Sequence, residues 1–303
     1  AQQYVPDFLE TIIDKNLICL KNILTPNDSM PLFNGGTEER LEELIKFINS
    51  LEYKTKDKKN LIGGIYKFNN KNNTVFIDAG EPPQKKFSSS YQSGPLSFEY
   101  YVDSVKIITN CGFGLNISKK AELLSRLTSA QSTLTINDTS VTKFERNKII
   151  NNIFGNSIKN SFKIFDIDYT ENANLARLIA SHNGYEKKFG CVHKRELSID
   201  KVNGKLTGCD EITKKENGRP VNYNLRFHLY PGLTAVKTMG GNSVLIQISK
   251  NKSLIFTIIN GSILLEKSIF LGGNKILDNT CVTVSGNLVN KNQIIHWEIK
   301  KNN

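Results

Sequence analysis

Histidine is scarce in this chain, four in 303 residues, so the acid–base chemistry it serves has few possible seats. No H-E-x-x-H, serine-centred nucleophile elbow or paired-carboxylate motif is present, which removes the commonest metalloprotease and hydrolase signatures. The five cysteines (Cys19, Cys111, Cys191, Cys209, Cys281) are scattered without a C-x-x-C pair. Metal-finger spacing is therefore absent, an odd count leaves no complete disulfide framework, and the cysteines read as buried free thiols. No run of about eighteen apolar residues occurs, so no stretch reads as a transmembrane helix. No signal peptide is visible, and the chain opens on Ala1 rather than Met, as a processed product or a fragment does.

What is present is globular in composition, 39% hydrophobic and 23% charged, with length for a sizeable core. The net charge of +11 suits attraction to polyanions: acidic polysaccharide, nucleic acid or anionic lipid. Compositional bias explains it as well, because Lys, Asn and Ile abound together along the whole chain. The densest basic runs, Lys54 to Lys59, Lys85-Lys86 and Lys214-Lys215, fall in expected loops. Helix-turn-helix, zinc-finger and RNP-type aromatic signatures are missing, so no nucleic-acid partner is expected.

Periodicity divides the chain into a helical segment, residues 1–55, and a β-domain, residues 61–300. Pro6-Asp7 suits a first helical turn, and Leu9, Ile12, Ile13, Leu17, Leu20 and Leu24 follow at helical spacing. Thr37 reads as the N-cap of a second helix, with Leu41, Leu44, Ile45, Ile48 and Leu51 on one face. Two such faces cannot bury themselves alone, and need a missing helical partner or the β-domain.

Beyond the charged break from Lys54 to Asn60 the period changes to 2. Leu225, Phe227 and Leu229 share one strand face, Val244, Ile246 and Ile248 another, and Ile295, Trp297 and Ile299 a third. Leu254 to Ile259 is apolar on both phases and predicts a central strand covered on both sides. Turns are expected at Asn183-Gly184, Asn203-Gly204, Asn217-Gly218, Gly240-Gly241-Asn242, Asn260-Gly261, Gly272-Gly273-Asn274 and Gly286-Asn287. With no helix-length segment between the late strands, the fold class is mainly β: a large antiparallel β-sandwich preceded by a short helical segment. Residues 117–128 read as either a short helix or a loop.

His228 and His296 fall on polar strand phases and are expected to face solvent. His182-Asn183-Gly184-Tyr185 reads as a two-residue hairpin turn with His193 on the return strand. His182 or Tyr185 suits acid–base work, and equally the capping of strand ends. The glycine-rich stretches lie between strands, without the helix N-terminus of a phosphate cradle.

Seven segments, in order, resemble the heparinase II/III family of polysaccharide lyases. They are Pro31-Leu32-Phe33-Asn34-Gly35; Val75-Phe76-Ile77-Asp78-Ala79-Gly80 with Pro82-Pro83; Leu96-Ser97-Phe98-Glu99; and Ile107-Ile108-Thr109-Asn110-Cys111-Gly112. Ala130-Gln131-Ser132-Thr133-Leu134, His182-Asn183-Gly184-Tyr185 with His193-Lys194-Arg195, and Arg226-Phe227-His228-Leu229-Tyr230-Pro231-Gly232 complete the series. The resemblance implies an incomplete α/α toroid followed by an antiparallel sandwich, with residues 1–55 as the toroid's end. It implies cleavage of uronic-acid-containing polysaccharide by β-elimination, an acidic polysaccharide as partner, and a place in the periplasm or cell envelope. Because the toroid supplies much of the catalytic set, the chain alone is expected to be inactive. A non-catalytic carbohydrate-binding or envelope structural protein on the same scaffold is the alternative.

Where family members often carry His-x-His-x-Asp, this sequence has Ser90, Gln92 and Gly94. Asn110 stands for a strand-end Asp, and Gln131 for a His. Neutral amides bind zinc poorly, so no metal or other cofactor is expected. Gln92, Asn110 and Gln131 are expected to form a mutually hydrogen-bonded polar cluster. Through the resemblance, Arg126 and Gln131 are candidates to meet an acidic sugar, and His182 and Tyr185 are candidate catalytic groups. A salt-bridged structural Arg126 is the competing reading.

Overall fold

The computed structural model describes residues 6–302 apart from 40, 51–59, 146, 148, 150, 152–154, 216–218 and 260. Leu51, the Lys54 to Lys59 run, the Asn217-Gly218 turn and Asn260 lie outside the described residues. Helix α1 (Asp7–Ile23) starts behind Pro6, with Asp7 and Glu10 in its first turn, where carboxylates offset the positive helix end. At the opposite end Lys67 Nζ donates to the carbonyls of Asn22 (3.0 Å) and Leu24 (2.8 Å), so a cation from the β-domain caps the negative end. Helix α2 (Glu42–Ser50) begins five residues beyond Thr37, which therefore does not cap it. Glu38 is drawn onto the β-domain instead, its N donating to Gly272 O at 3.0 Å. No α1 residue is buried and only Ile48 of α2 is, while Phe8, Ile12, Ile13, Leu44 and Phe47 stand exposed.

Seventeen strands follow among the described residues: β1 (Leu61–Ile62), β2 (Ile65–Asn69), β3 (Asn73–Asp78), β4 (Phe98–Val102), β5 (Val105–Thr109) and β6 (Leu134–Ile136). Next come β7 (Ile164–Glu171), β8 (Leu175–His182), β9 (Cys191–Asp200), β10 (Leu206–Lys214), β11 (Val221–Leu229) and β12 (Thr234–Lys237). The last are β13 (Ser243–Ser249), β14 (Lys252–Ile258), β15 (Ile263–Phe270), β16 (Leu277–Leu288) and β17 (Asn292–Lys301). Helix α3 (Lys119–Ser125) precedes β6, and α4 (Glu186–Phe189) joins β8 to β9. All pairings are antiparallel. The first sheet runs β1-β2-β3-β4-β5-β11-β16-β15 with β6 also on β11; the second runs β12-β13-β14-β17-β10-β9-β8-β7.

The alternating residues meet between the sheets. Leu225, Phe227, Leu229, Val244, Ile246, Ile295, Trp297 and Ile299 are all buried. Trp297 stacks on Phe98 at 5.5 Å and meets Phe227 edge-on at 4.9 Å. Gly208, its cross-strand partner, makes room for it: a Cβ there would lie 2.1 Å from the indole.

Several expectations need correction. The β14 strand buries only Leu254, Phe256 and Ile258, and Ile259 is exposed, because among the described residues no second layer covers the outer face of that sheet. Gly286-Asn287 is no turn but the interior of β16; a Cβ at Gly286 would meet Tyr223 Oη at 2.3 Å. The turn after His182 contains α4 and is closed by Gly190 at φ 66°, a left-handed position that glycine fills without strain. His228 is buried rather than solvent-facing. Residues 128–132 cover it, the Ser129 carbonyl lying 3.0 Å from Nε2 and Ser132 Oγ accepting from its backbone N–H at 2.9 Å. His296 is exposed.

The outer face of the first sheet is covered by the segment leading in from α1. Phe33 packs on Phe76 and Tyr101, and Lys106 Nζ lies 2.8 Å from Glu38 and 3.4 Å from Glu99. The Lys106 ammonium is flanked by the rings of Tyr101 and Tyr230. Tyr101 Oη donates to Glu99 and Tyr230 Oη to Glu38, so this buried charge is paired and hydrogen-bonded, as burial requires.

Candidate functional site

Residues 117–128 resolve as a helix. Ser118 caps α3 by accepting from Ala121 N at 3.1 Å, a short 3-10 turn, Thr128–Ala130, follows, and Arg126 closes the helix. The Arg126 side chain is enclosed, so no sugar reaches it; its guanidinium donates to the carbonyls of Tyr91 (2.8 Å), Asn156 (2.6 Å) and Ser88 (2.7 Å). Its carbon lies 4.1 Å from the Phe144 ring centroid, a cation–π contact. Burial pulls its pKa down to about 10, against the opposing pull of the Glu122 carboxylate.

Gln92, Asn110 and Gln131 do lie together, but they do not bond one another. Gln92 Nε2 and Gln131 Nε2 both donate to the Ser125 carbonyl, at 2.9 and 2.8 Å, and Gln92 Nε2 also to Gly112 O at 2.9 Å. Asn110 Oδ1 accepts from Ser132 N at 2.9 Å, and its buried Nδ2 has no partner. Two amide nitrogens turned to carbonyls and a third N–H unpaired form a donor-rich centre, the opposite of what a cation needs. The residues present do not fit the family's metal. Gln131 is as enclosed as Arg126, with no surface for a sugar.

The lead-in segment closes over this cluster. Gly35 N donates to Gln92 Oε1 at 3.1 Å, Gln92 N to Asn34 Oδ1 at 3.2 Å, and Asn34 Nδ2 to Asp78 Oδ2 at 3.3 Å. Asp78 is buried without a cation among these partners, and desolvation raises its pKa to about 6 against hydrogen bonds from Gly80 and Asn34. A carboxyl whose folded pKa lies above its ordinary 3.8 is at no disadvantage below pH 4 and increasingly destabilising as pH rises through 6. Replacing Asp78 by Asn is therefore expected to move stability in the variant's favour by about 3 kcal/mol between pH 4 and pH 7.5. Urea midpoints of both proteins at the two pH values measure this, and an unchanged difference would count against it.

His182 and Tyr185 are equally enclosed. Gly184 N donates to His182 Nδ1 (3.2 Å), which leaves Nε2 to donate to His193 Nδ1 (3.1 Å) and His193 Nε2 to donate to Asp210 Oδ1 (2.7 Å). One backbone N–H thus sets both tautomers. Burial lowers the pKa of each histidine, with Arg195 adding to the effect, so both are neutral at pH 7. Asp210 also receives Arg195 Nε at 2.7 Å and Trp297 Nε1 at 2.8 Å. Burial would raise its pKa, but Arg195 and His193 hold it well below the usual carboxylate range. Tyr185 Oη donates to the carbonyls of Leu134 and Thr139, at 3.0 and 3.1 Å, and burial raises its pKa. A base or acid that touches substrate needs access, and the fold denies it to both residues.

Arg195 links this network to the amide cluster. Its Nη1 donates to Leu96 O (2.7 Å) and Ser132 O (3.0 Å), and Leu96 sits at φ 57°, a strained conformation for leucine. Asp210 and Arg195 were missed as site residues. The signal was there: Cys191, His193, Arg195, Leu197 and Ile199 alternate on one phase of β9, which sets two basic residues among apolar ones.

Two open cavities flank α3. One, about 660 Å³, is lined by Ser89, Ser90, Phe113, Leu115 and Lys119 among others. The second, about 850 Å³, is lined by Leu124, Ser140, Lys143, Phe144 and Lys159 among others. Leu123, Asn151 and Asn156 border both. Among the described residues no histidine or tyrosine lines either.

FtsZ-localized protein C of Caulobacter vibrioides is 25% identical over 246 residues, which cover 75% of this chain and 40% of that protein. The crystal structure of the heparan sulfate lyase HepC from Pedobacter heparinus matches with a TM-score of 0.76 at 15% identity, covering 98% of this chain and 47% of that one. A crystal structure of heparinase III matches with a TM-score of 0.63 at 13% identity, over 98% of this chain and 49% of that one. At such identities the likeness is one of fold. The chain spans 40% of the curated relative and about half the length of these structures. Residues 54–298 match the family described as heparinase II/III-like, C-terminal, and with nearly the whole sandwich inside that span the chain belongs to this family.

Proposed function

We propose that the protein to which this chain contributes is a lyase that cleaves uronic-acid-containing polysaccharide by β-elimination, and that the chain forms one wall of its cleft. Family membership across residues 54–298 carries the reading. β-Elimination requires the uronate carboxylate to be neutralised, the C5 proton removed and the departing O4 protonated. Among the described residues the two cavities offer the hydroxyls of Ser89 and Ser90 and the ammonium groups of Lys119, Lys143 and Lys159, but no histidine or tyrosine. Base and acid then come from outside this chain. The uncovered apolar residues of α1 and α2 suit the end of an α/α toroid that supplies them. In this reading Arg126, Gln131, His182 and Tyr185 position the wall rather than touch sugar. A periplasmic or envelope location is proposed with it, and cell fractionation tests that part.

The isolated chain is expected to leave a panel of uronate polysaccharides uncut, with no rise in the ultraviolet absorbance of unsaturated products. A protein that includes the upstream region is expected to produce that rise. Activity in the isolated chain would refute the division of labour. Inactivity of the longer protein on every uronate polymer would refute the lyase reading and favour a binding or structural role.

A further inference from the structure

We propose that the second cavity is an extension subsite that takes an anionic sugar of the same polysaccharide chain, with Lys143 and Lys159 binding its carboxylate or sulfate. The proposal rests on the polysaccharide reading above and deepens it. Phe144 and Ile158 form an antiparallel bridge, and Lys159 N donates to Lys143 O at 2.7 Å. Residues 143–145 and 157–159 are thus a short ribbon on which Lys143 stands directly opposite Lys159. Like charges directly opposed across a ribbon are unfavourable unless an anion lies between them.

The chain's own anions fall short of that need. Glu145 lies 3.1 Å from Lys159 and 4.0 Å from Lys85, and among the described residues Lys143 pairs with no carboxylate. Among the described residues Glu145 thus serves two ammonium groups, and Lys143 has no carboxylate of its own. Beneath them the Arg126 guanidinium has Glu122 at 3.9 Å as its carboxylate neighbour. The field over the cavity is positive, and a concave site concentrates it.

The remaining lining suits a sugar. Across from the ribbon, Leu123 and Leu124 of α3 are each 42% exposed, an apolar wall for the C–H face of a ring. Thr139, Ser140 and Thr142 bring hydroxyl-bearing side chains to the same cavity. A volume of about 850 Å³ lies within the range of roughly 300–1,000 Å³ usual for ligand sites. The cavity adjoins the one beside Ser90 through Leu123, Asn151 and Asn156. One flexible polyanion can occupy both, and linking two contacts raises affinity without a new contact at either.

The test compares a uronate disaccharide with a hexasaccharide, by calorimetric titration against the wild-type protein and Lys143→Ala/Lys159→Ala. Both lysines are solvent-exposed, and an unchanged unfolding midpoint checks that the variant folds. The wild type is expected to bind the hexasaccharide on the order of ten-fold more tightly than the disaccharide, with the gain shrinking as salt rises. In the double alanine variant that gain is expected to vanish while disaccharide affinity stays, and Lys143→Arg/Lys159→Arg is expected to restore it. A length dependence that survives in the alanine variant would overturn the subsite alone. Failure of the wild type to bind either length would overturn the polysaccharide reading and the subsite with it. A charge-matched oligonucleotide that binds equally well through the same lysines would overturn the assignment to sugar.

Discussion

Asp210→Asn is expected to lower the free energy of unfolding by about 3–5 kcal/mol, the usual loss when one partner of a buried ion pair is removed. Asp210 and Arg195 are fully enclosed, and the carboxylate takes hydrogen bonds from His193, Arg195 and Trp297. The amide leaves the guanidinium charge without a counter-charge between two sheets. It also turns an N–H toward a donor, either the Trp297 indole or the Arg195–His193 pair. Urea unfolding measures the loss as a lower midpoint at unchanged slope. Asp210→Asn combined with Arg195→Met is expected to recover part of it, since removing both charges costs less than stranding one, while the Leu96 and Ser132 carbonyls lose their donor. A single-variant loss below about 1 kcal/mol would show that the Arg195 charge is compensated elsewhere.

The second large effect belongs to Arg126→Met, which keeps most of the side chain's length and removes all its donors. Two buried carbonyls, those of Tyr91 and Ser88, and the half-buried one of Asn156 then lose their partner, each buried one at a cost of about 1–3 kcal/mol before relaxation. A net loss of about 3 kcal/mol or more is expected. Arg126→Lys should recover only part, because one ammonium cannot reproduce the planar fork that reaches all three. Two of those carbonyls flank Ser89 and Ser90, which line the first cavity, and the third belongs to Asn156, which borders both, so amide exchange at residues 88–91 and 155–158 is expected to quicken in the Met variant more than elsewhere. Uniform exchange would show that Arg126 adds bulk stability without ordering the cavity walls.

Much of the sandwich was legible because its signal is local. Leu225, Phe227 and Leu229, or Ile295, Trp297 and Ile299, need only their own period of two to declare an inward face. The failures are all places where a distant segment decides. His228 sits on a polar phase, but a loop a hundred residues earlier lies across it. Gly286-Asn287 has the composition of a turn, while the glycine exists to admit a tyrosine from the neighbouring strand. Thr37 has the chemistry of a cap, but its neighbour Glu38 docks on the β-domain and α2 starts only at Glu42. At the site, Gln92 and Gln131 share the Ser125 carbonyl, while Asn110 bonds the backbone of Ser132. Their actual partners are backbone carbonyls and N–H groups, which no side-chain pattern encodes. Arg195 reaches Leu96 and Ser132 across 99 and 63 positions, a separation at which sequence spacing carries no information.

The lock around Lys106 has a consequence for where this molecule can be cut. Composition draws a border at residues 55–61, where the period changes, yet a chain started there would lose Phe33 from Phe76 and Tyr101, and Glu38 from Lys106. A buried ammonium would then face water on one side and a single carboxylate on the other. The cooperative unit reaches back at least to Phe33, so the part that melts together is longer than the part that looks β by sequence.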